Sequence, residues 1–278
     1  MAHAHSHKVQ VYHATAPTCH WSWGFEPVFN RLRLVYGNQI GIQTMTLCVW
    51  ENFTEYMKEY EMKWAEFNPW LQEIKETIGL PVASPLKRSQ VPFNVMPASM
   101  GAMAAYRQGE EKGQRFVRAI LRKSCVEGQD ASAAKTIHDG AREAGLNLPR
   151  FERDLRNKAA REAQYGSQGH GWPELPLSYY TVAISDGHRH VLLEHAFDPA
   201  VVEGAIDYMA GGKLRKRKPS DIIGYLQRHG ASPTREIERV FALGAWQATK
   251  KLRSLKKAGK VEEAKLAGAS HWTAAIRP

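Results

Sequence analysis

Thr18-Cys-His-Trp-Ser-Trp-Gly-Phe-Glu-Pro27 is the stretch on which the reading of the fold turns. Upstream of it, Lys8-Val-Gln-Val-Tyr-His13 alternates polar and apolar residues and runs into Ala14-Thr-Ala-Pro17, a short strand followed by a turn. Downstream, Val28, Leu32 and Val35, with Phe29 and Tyr36 beside them, recur at helical spacing as far as Gly37-Asn38, so a helix begins near Cys19. Gln39 to Leu47 alternates again and reads as a second strand. A strand-helix-strand crossover is right-handed and returns the chain in the same direction. The two strands are therefore predicted to be parallel, with Cys19 where the first strand feeds the helix.

Residues 52 to about 165 are helical in pattern: Tyr56–Ile78, Pro97–Cys125, Ala131–Gly145 and Pro149 to about Gln164. Strand signals return with Leu175–Ile184, a turn at Ser185-Asp-Gly187 and His188–His195, and a helix over Asp198–Met209 follows. The fold class is α/β, a strand-helix-strand and strand-strand-helix framework interrupted by a helical insertion.

The 278 residues suffice for one large domain or two ordinary ones, and 43% hydrophobic with 24% charged residues is a globular composition. No run approaches 18 uncharged apolar residues, which argues against a membrane span, and Met1–His7 lacks the apolar core of a signal peptide. Three scattered cysteines, Cys19, Cys48 and Cys125, argue against a disulfide framework and fit a reducing compartment, so the cytoplasm is expected. His3, His5 and His7 read as a passive leader and no metal site is expected.

The net charge of +10 is unevenly placed: residues 1–211 hold 22 Lys and Arg against 23 Asp and Glu, residues 212–278 hold 16 against 5. The divide falls at Gly211-Gly212-Lys-Leu-Arg-Lys-Arg-Lys-Pro219, read as a basic linker over 211–218 between a domain at 8–210 and another at 219–278. In the latter, Pro219–His229 and Thr234–Phe241 read as helices. A third runs over Trp246–Ala258, with Ala248, Leu252 and Leu255 on one face and Lys250, Lys251, Arg253, Lys256 and Lys257 around it. Lys260–Leu266, a turn at Gly268 and Ser270–Thr273 make a hairpin.

The cysteine motif with Tyr36-Gly-Asn-Gln39, Met96–Ala105 and Phe116–Ile120 resembles the DsbA family of thioredoxin-like proteins over nearly all of residues 8–210. More remotely, the chain is similar to kappa-class glutathione transferases, which share an inserted helical domain. Residues 219–275 resemble a winged helix-turn-helix domain. The resemblance implies thiol-disulfide or glutathione-linked chemistry at Cys19, a cis-proline at Pro176 beside it with Pro173 as the other candidate, and duplex DNA as the partner of 212–278, which the +11 balance of those residues favours over a basic solvated cap or a protein-docking winged helix. One departure stands out: the family's second cysteine is Ser22 here, giving Cys-x-x-Ser and excluding two-cysteine chemistry within the motif.

A thiol at a helix N-terminus faces unpaired N–H groups and the positive end of the helix dipole, both of which favour the thiolate. His20 would add positive charge when protonated, or else is a turn residue facing solvent. Ser22 can hydrogen-bond the thiolate but cannot resolve a mixed disulfide. Trp21 and Trp23 either line a groove or are buried against the insertion. Cys48, just past the second strand, lies on the sheet edge that carries Cys19 and is a candidate resolving thiol, or a buried structural one; Cys125 is read as packing only. No cofactor is required; glutathione and a thiol-bearing protein are candidate ligands, and a homodimer is open. The sequence thus favours a monothiol redox domain coupled to DNA binding through Lys250, Lys251, Arg253 and Lys257. Its alternatives are a non-catalytic adaptor or scaffold and a kappa-type transferase or isomerase.

Overall fold

The computed structural model describes residues 8–46, 53–91, 94–157 and 178–275. Strand β1 (Gln10–Thr15), helix α1 (His20–Tyr36) and strand β2 (Gly41–Thr46) form the crossover unit, and β1 pairs parallel to β2 with Val11 opposite Ile42. The strand extends over Ala14 and Thr15, which the sequence pattern assigns to a turn, because both continue the ladder with Met45 and Thr46. After the insertion, β3 (Thr181–Ser185) pairs antiparallel with β1 and with β4 (His190–Glu194), giving the sheet order β2-β1-β3-β4. β1 is central and buried along its length, as a strand covered on both faces must be.

The insertion comprises α2 (Phe53–Glu59), α3 (Trp64–Ile78), α4 (Met96–Tyr106), α5 (Glu110–Cys125), α6 (Ala134–Glu143) and α7 (Leu148–Leu155). Two helices read as continuous in the sequence are broken. Tyr56–Ile78 divides at a turn where Glu61 takes φ +48°, and Pro97–Cys125 divides at Gly109, whose φ of +126° only glycine adopts without strain. The residues beyond Asn157 in the predicted fourth helix lie outside those described. Trp23, Phe25, Val28, Leu32 and Val35 of α1 share one buried cluster with Phe116, Ile120 and Leu121 of α5 and with Val182 and Ile184 of β3, so sheet and insertion have a common core.

Helix α8 (Pro199–Met209) is capped by the Asp198 side chain accepting from the Ala200 N–H. The C-terminal unit contains α9 (Ile222–His229), β5 (Ser232–Pro233), α10 (Thr234–Phe241), α11 (Ala245–Lys257) and the hairpin β6 (Val261–Leu266)–β7 (Ala269–Ala274), with β7 between β5 and β6. Asp221, accepting from Gly224 N–H, starts α9, three residues later than the proline-opened helix of the sequence reading. Its core is a second cluster of Ile222, Tyr225, Leu226, Ile237, Val240, Leu252 and Trp272. The basic run read as a linker is held down: the Arg217 N–H bonds Val35 carbonyl at 2.9 Å, and Lys216 pairs with Glu203 at 2.9 Å and Asp207 at 2.7 Å.

The two clusters meet along α1. Arg31 donates to the Val240 carbonyl at 2.9 Å and Asn30 to the Tyr225 hydroxyl at 3.1 Å, while Leu34 packs into the second cluster; beside α1, Arg239 of α10 donates to the Ile78 carbonyl at the end of α3 at 2.7 Å. The helix that starts at Cys19 therefore supports the C-terminal unit on its far side.

Candidate functional site

Cys19 is the N-cap of α1, with extended backbone at φ −94° and ψ 122°; its N–H bonds the Ala16 carbonyl at 3.0 Å. The buried Ser22 hydroxyl accepts from the Ala16 N–H at 3.1 Å, which ties the turn to the first turn of the helix. The thiol is partly covered. Burial pushes it above the ordinary thiol range, and hydrogen bonds from the Ser22 N–H and hydroxyl and from the Trp21 N–H recover only part of that. The helix N-terminus thus acts on Cys19 as the sequence suggests, but desolvation outweighs it, and the thiolate expected from the motif is disfavoured. His20 does not supply the expected positive charge: burial holds it down to about 4, and its Nε2 is shut off from solvent with no hydrogen-bond partner.

Cys19 and His20 open onto a cavity of about 240 Å³ whose walls include Trp21, Tyr56, Tyr60, Trp70 and Tyr180. The aromatic wall has two sources. Trp21 on α1 stacks on Phe197 at 5.9 Å and stands edge-on to Tyr180, which lies flat on His195 at 4.8 Å. On the insertion, Tyr56 contacts both Tyr60 at 4.9 Å and Trp70 at 6.0 Å. Tyr60 is 56% exposed and Tyr180 37%, so the rim offers aromatic surface to solvent. Trp21 lines this groove, whereas Trp23 is buried and donates to the Pro81 carbonyl at 3.1 Å; each tryptophan takes one of the two roles the sequence left open.

The remaining predicted site residues divide. Cys125 is fully buried, as packing requires. Cys48, Pro173 and Pro176 lie outside the described residues; among those described, the cis peptide bond is Ser84-Pro85. No group of three metal-ligating side chains occurs among the described residues. On α11, Ala248 and Leu252 face the core while Lys250, Lys251, Arg253 and Lys257 are exposed, and Lys256 is held by Glu263 at 2.8 Å. Trp246 is 71% exposed with the Lys250 ammonium 4.6 Å from its ring centre. No helix among the described residues is long and apolar enough to cross a membrane.

A parallel β1-α1-β2 unit, a helical insertion, an antiparallel β3-β4 pair and a closing helix, with a cysteine capping α1, agree with the family comparison: the thioredoxin family profile matches residues 12–168. The chain belongs to the thioredoxin family. Residues 218–272 of this thioredoxin-family protein match a second profile, that of FaeA-like proteins. It is 25% identical over 270 residues to the ClpXP adapter protein SpxH of Shouchella clausii, covering 95% of this chain and 88% of the relative. Against the ClpXP adapter protein SpxH of Bacillus subtilis the identity is 20% over 284 residues, covering 94% and 89%. Among solved structures, the cytosolic disulfide reductase DsbM from Pseudomonas aeruginosa superposes with a TM-score of 0.51 at 17% identity, over 73% of this chain and 98% of that one, a likeness of fold.

Sequence reasoning missed the far wall of the groove beside Cys19. Tyr56, Tyr60 and Trp70 lie in the insertion, and their helical spacing marks them only as one apolar face; that the face is turned toward Cys19 is a tertiary fact. The exposure of Trp246 was likewise hidden, because a tryptophan opening a helix ordinarily signals burial.

Proposed function

We propose that this protein is an adaptor that holds a segment of a partner protein in the aromatic groove beside Cys19, and that it works without thiol turnover. The observation that carries this reading is the contrast within one site. The thiol is pushed toward its neutral form and its motif partner is a serine, while aromatic side chains with solvent-facing edges surround it. Exposed tyrosine and tryptophan edges are the usual anchors of protein interfaces. Relatives that span almost the whole chain and are named ClpXP adapter proteins support the same class, and a cytoplasmic location accords with it. Glutathione-linked or disulfide chemistry needs the thiolate that burial disfavours.

The test begins with photo-crosslinkers at positions 60 and 180 to identify the partner. Degradation of that purified partner by ClpXP is then followed with and without this chain. Acceleration that survives Cys19→Ser and falls at least about tenfold in Tyr60→Ala/Tyr180→Ala supports the reading. Loss with Cys19→Ser and none with the tyrosine pair would return the site to thiol chemistry.

The C-terminal unit we read as a winged helix-turn-helix domain whose α11 faces a partner. Duplex DNA is the second reading there, favoured by Lys250, Lys251, Arg253 and Lys257, which lie exposed along α11, with Lys250 over the exposed Trp246 ring.

A further inference from the structure

Away from the groove, a cleft runs along the seam between α1, α5 and α9. Its cavity of about 50 Å³ is walled by Arg33, Arg115, Arg118, Arg228, His13 and His229, among others. Four guanidiniums meet here, and the carboxylates within reach are Glu26, Glu111 and Glu236. Arg118 takes two of these, with Glu26 at 3.0 Å and Glu236 at 2.8 Å, and is completed by the His229 carbonyl at 2.7 Å and the Ser232 hydroxyl at 3.0 Å. Glu111 alone then serves both Arg115 at 2.8 Å and Arg228 at 3.6 Å. The Arg33 guanidinium has no ion pair or hydrogen bond among the described residues, and the Arg115 Nε is cut off from solvent without a partner. A buried guanidinium N–H left unpaired is costly.

The two histidines sharpen the picture. His13 is stacked on Phe29 at 4.4 Å, with its Nδ1 buried and unpartnered. His229 is stacked on Tyr225 at 4.3 Å and is held down to about 2, first by burial and then by Arg118, Arg33, Arg228 and Arg115 together. Both rings are neutral near pH 7, so they offer hydrogen bonds without charge, and all four arginines line the cleft closely enough to act on His229.

We infer that the α1-α5-α9 cleft is a binding site for a small tetrahedral oxyanion, inorganic phosphate or sulfate, held by Arg33, Arg115 and Arg228. Planar guanidiniums recognise such an ion through paired N–H donors. The volume admits one small polyatomic ion and nothing the size of a nucleotide. Because Arg33 and Arg115 belong to the thioredoxin fold and Arg228 to the C-terminal unit, the ion would clamp the two together.

The test titrates the full chain with inorganic phosphate, sulfate and O-phosphoserine by calorimetry, against chloride at matched ionic strength. Saturable one-site binding of phosphate and sulfate is expected, with a thermal midpoint raised by about 2 °C or more at 100 times the Kd. Arg33→Gln, at a partly exposed position, should weaken phosphate by about tenfold or more, whereas Glu111→Gln, which removes the competing carboxylate, should tighten it by about threefold. A gain of affinity cannot come from a damaged fold. Absence of saturable phosphate binding, or an affinity unmoved by both variants, would overturn the site. Tighter binding of O-phosphoserine than of phosphate would overturn the free-ion assignment and give the site to a phosphorylated segment.

Discussion

Arg118 of α5 and Glu236 of α10 form a 2.8 Å ion pair across the seam between the thioredoxin fold and the C-terminal unit, with side-chain exposures of 4% and 0%. Around it, the Tyr225 hydroxyl donates to Glu236 and Asn30 donates to that hydroxyl, while Glu26 takes the other side of Arg118. Breaking a buried pair by removing one partner typically costs about 3–5 kcal/mol, because the remaining charge is stranded. Arg118→Met should therefore lower stability by about that amount and leave two carboxylates exposed to the loss. Urea unfolding checks this; a change below about 1 kcal/mol would mean that water enters the seam and solvates the acids.

In the full chain, titrated with random duplex DNA, the second reading predicts affinity falling steeply with salt, with a log-log slope of about −0.9 per neutralised phosphate. Lys251→Ala/Arg253→Ala should weaken binding at all sequences and flatten that slope, since both side chains are exposed on α11. Lys216 should contribute little, being held by Glu203 and Asp207. No salt-dependent binding at low ionic strength would assign α11 to a protein partner.

Cys19 should alkylate more slowly than a free thiol near neutral pH, because burial raises the thiol and so depletes the thiolate. The rate should climb by about tenfold per pH unit to beyond the usual thiol range of about 8.5. Ser22→Ala, which deletes a hydrogen bond that favours the thiolate, should slow it further, and Ser22→Cys should raise dithiol exchange above a negligible starting level. Stopped-flow labelling at graded pH decides; a Cys19 that labels faster than free cysteine at pH 7 would restore the reactive-thiol reading.

Histidines give stability a pH dependence of definite sign. An unfolded histidine titrates near 6.5. Burial holds His13 down to about 3 and His271 down to about 4 in the folded chain. A depressed folded value means that the contribution is complete above pH 6.5 and is lost as the pH falls from there toward 4 and 3, at up to about 1.4 kcal/mol per pH unit for each group. Urea midpoints should be flat from pH 8 to 7 and fall between 6.5 and 5, and His271→Gln should remove one proton from that slope. Midpoints unchanged down to pH 5 would show that these rings charge in place.

Gly24→Ala should be destabilising by about 1–3 kcal/mol although it lies in a helix, where alanine is ordinarily favoured. An added Cβ would stand 2.8 Å from Ile78 of α3 and 2.8 Å from the Phe197 ring, so α1 would have to back away from both. A thermal midpoint equal to or above that of the parent chain would show that these neighbours yield.

The sequence by itself determined the order of elements around Cys19 and in the last 60 or so residues, for a local reason. Alternation over Lys8–His13, helical spacing from Val28 to Val35 and the Ala248-Leu252 stripe of α11 are periodicities that each segment carries alone, and the parallel pairing of β1 with β2 follows from the handedness of one crossover. The absence of a second motif cysteine was equally legible, since Ser22 is simply read. What the tertiary structure alone decided is everything that depends on which faces meet. Burial against distant residues, set against three hydrogen bonds at a helix start, pushes the Cys19 thiol up. Tyr56, Tyr60 and Trp70 reach that thiol from an insertion helix pair some 40 residues away, and Arg118 finds Glu236 more than 100 residues along the chain. Desolvation and ion pairing are set by the summed environment of a group in space, and no window of sequence contains that sum.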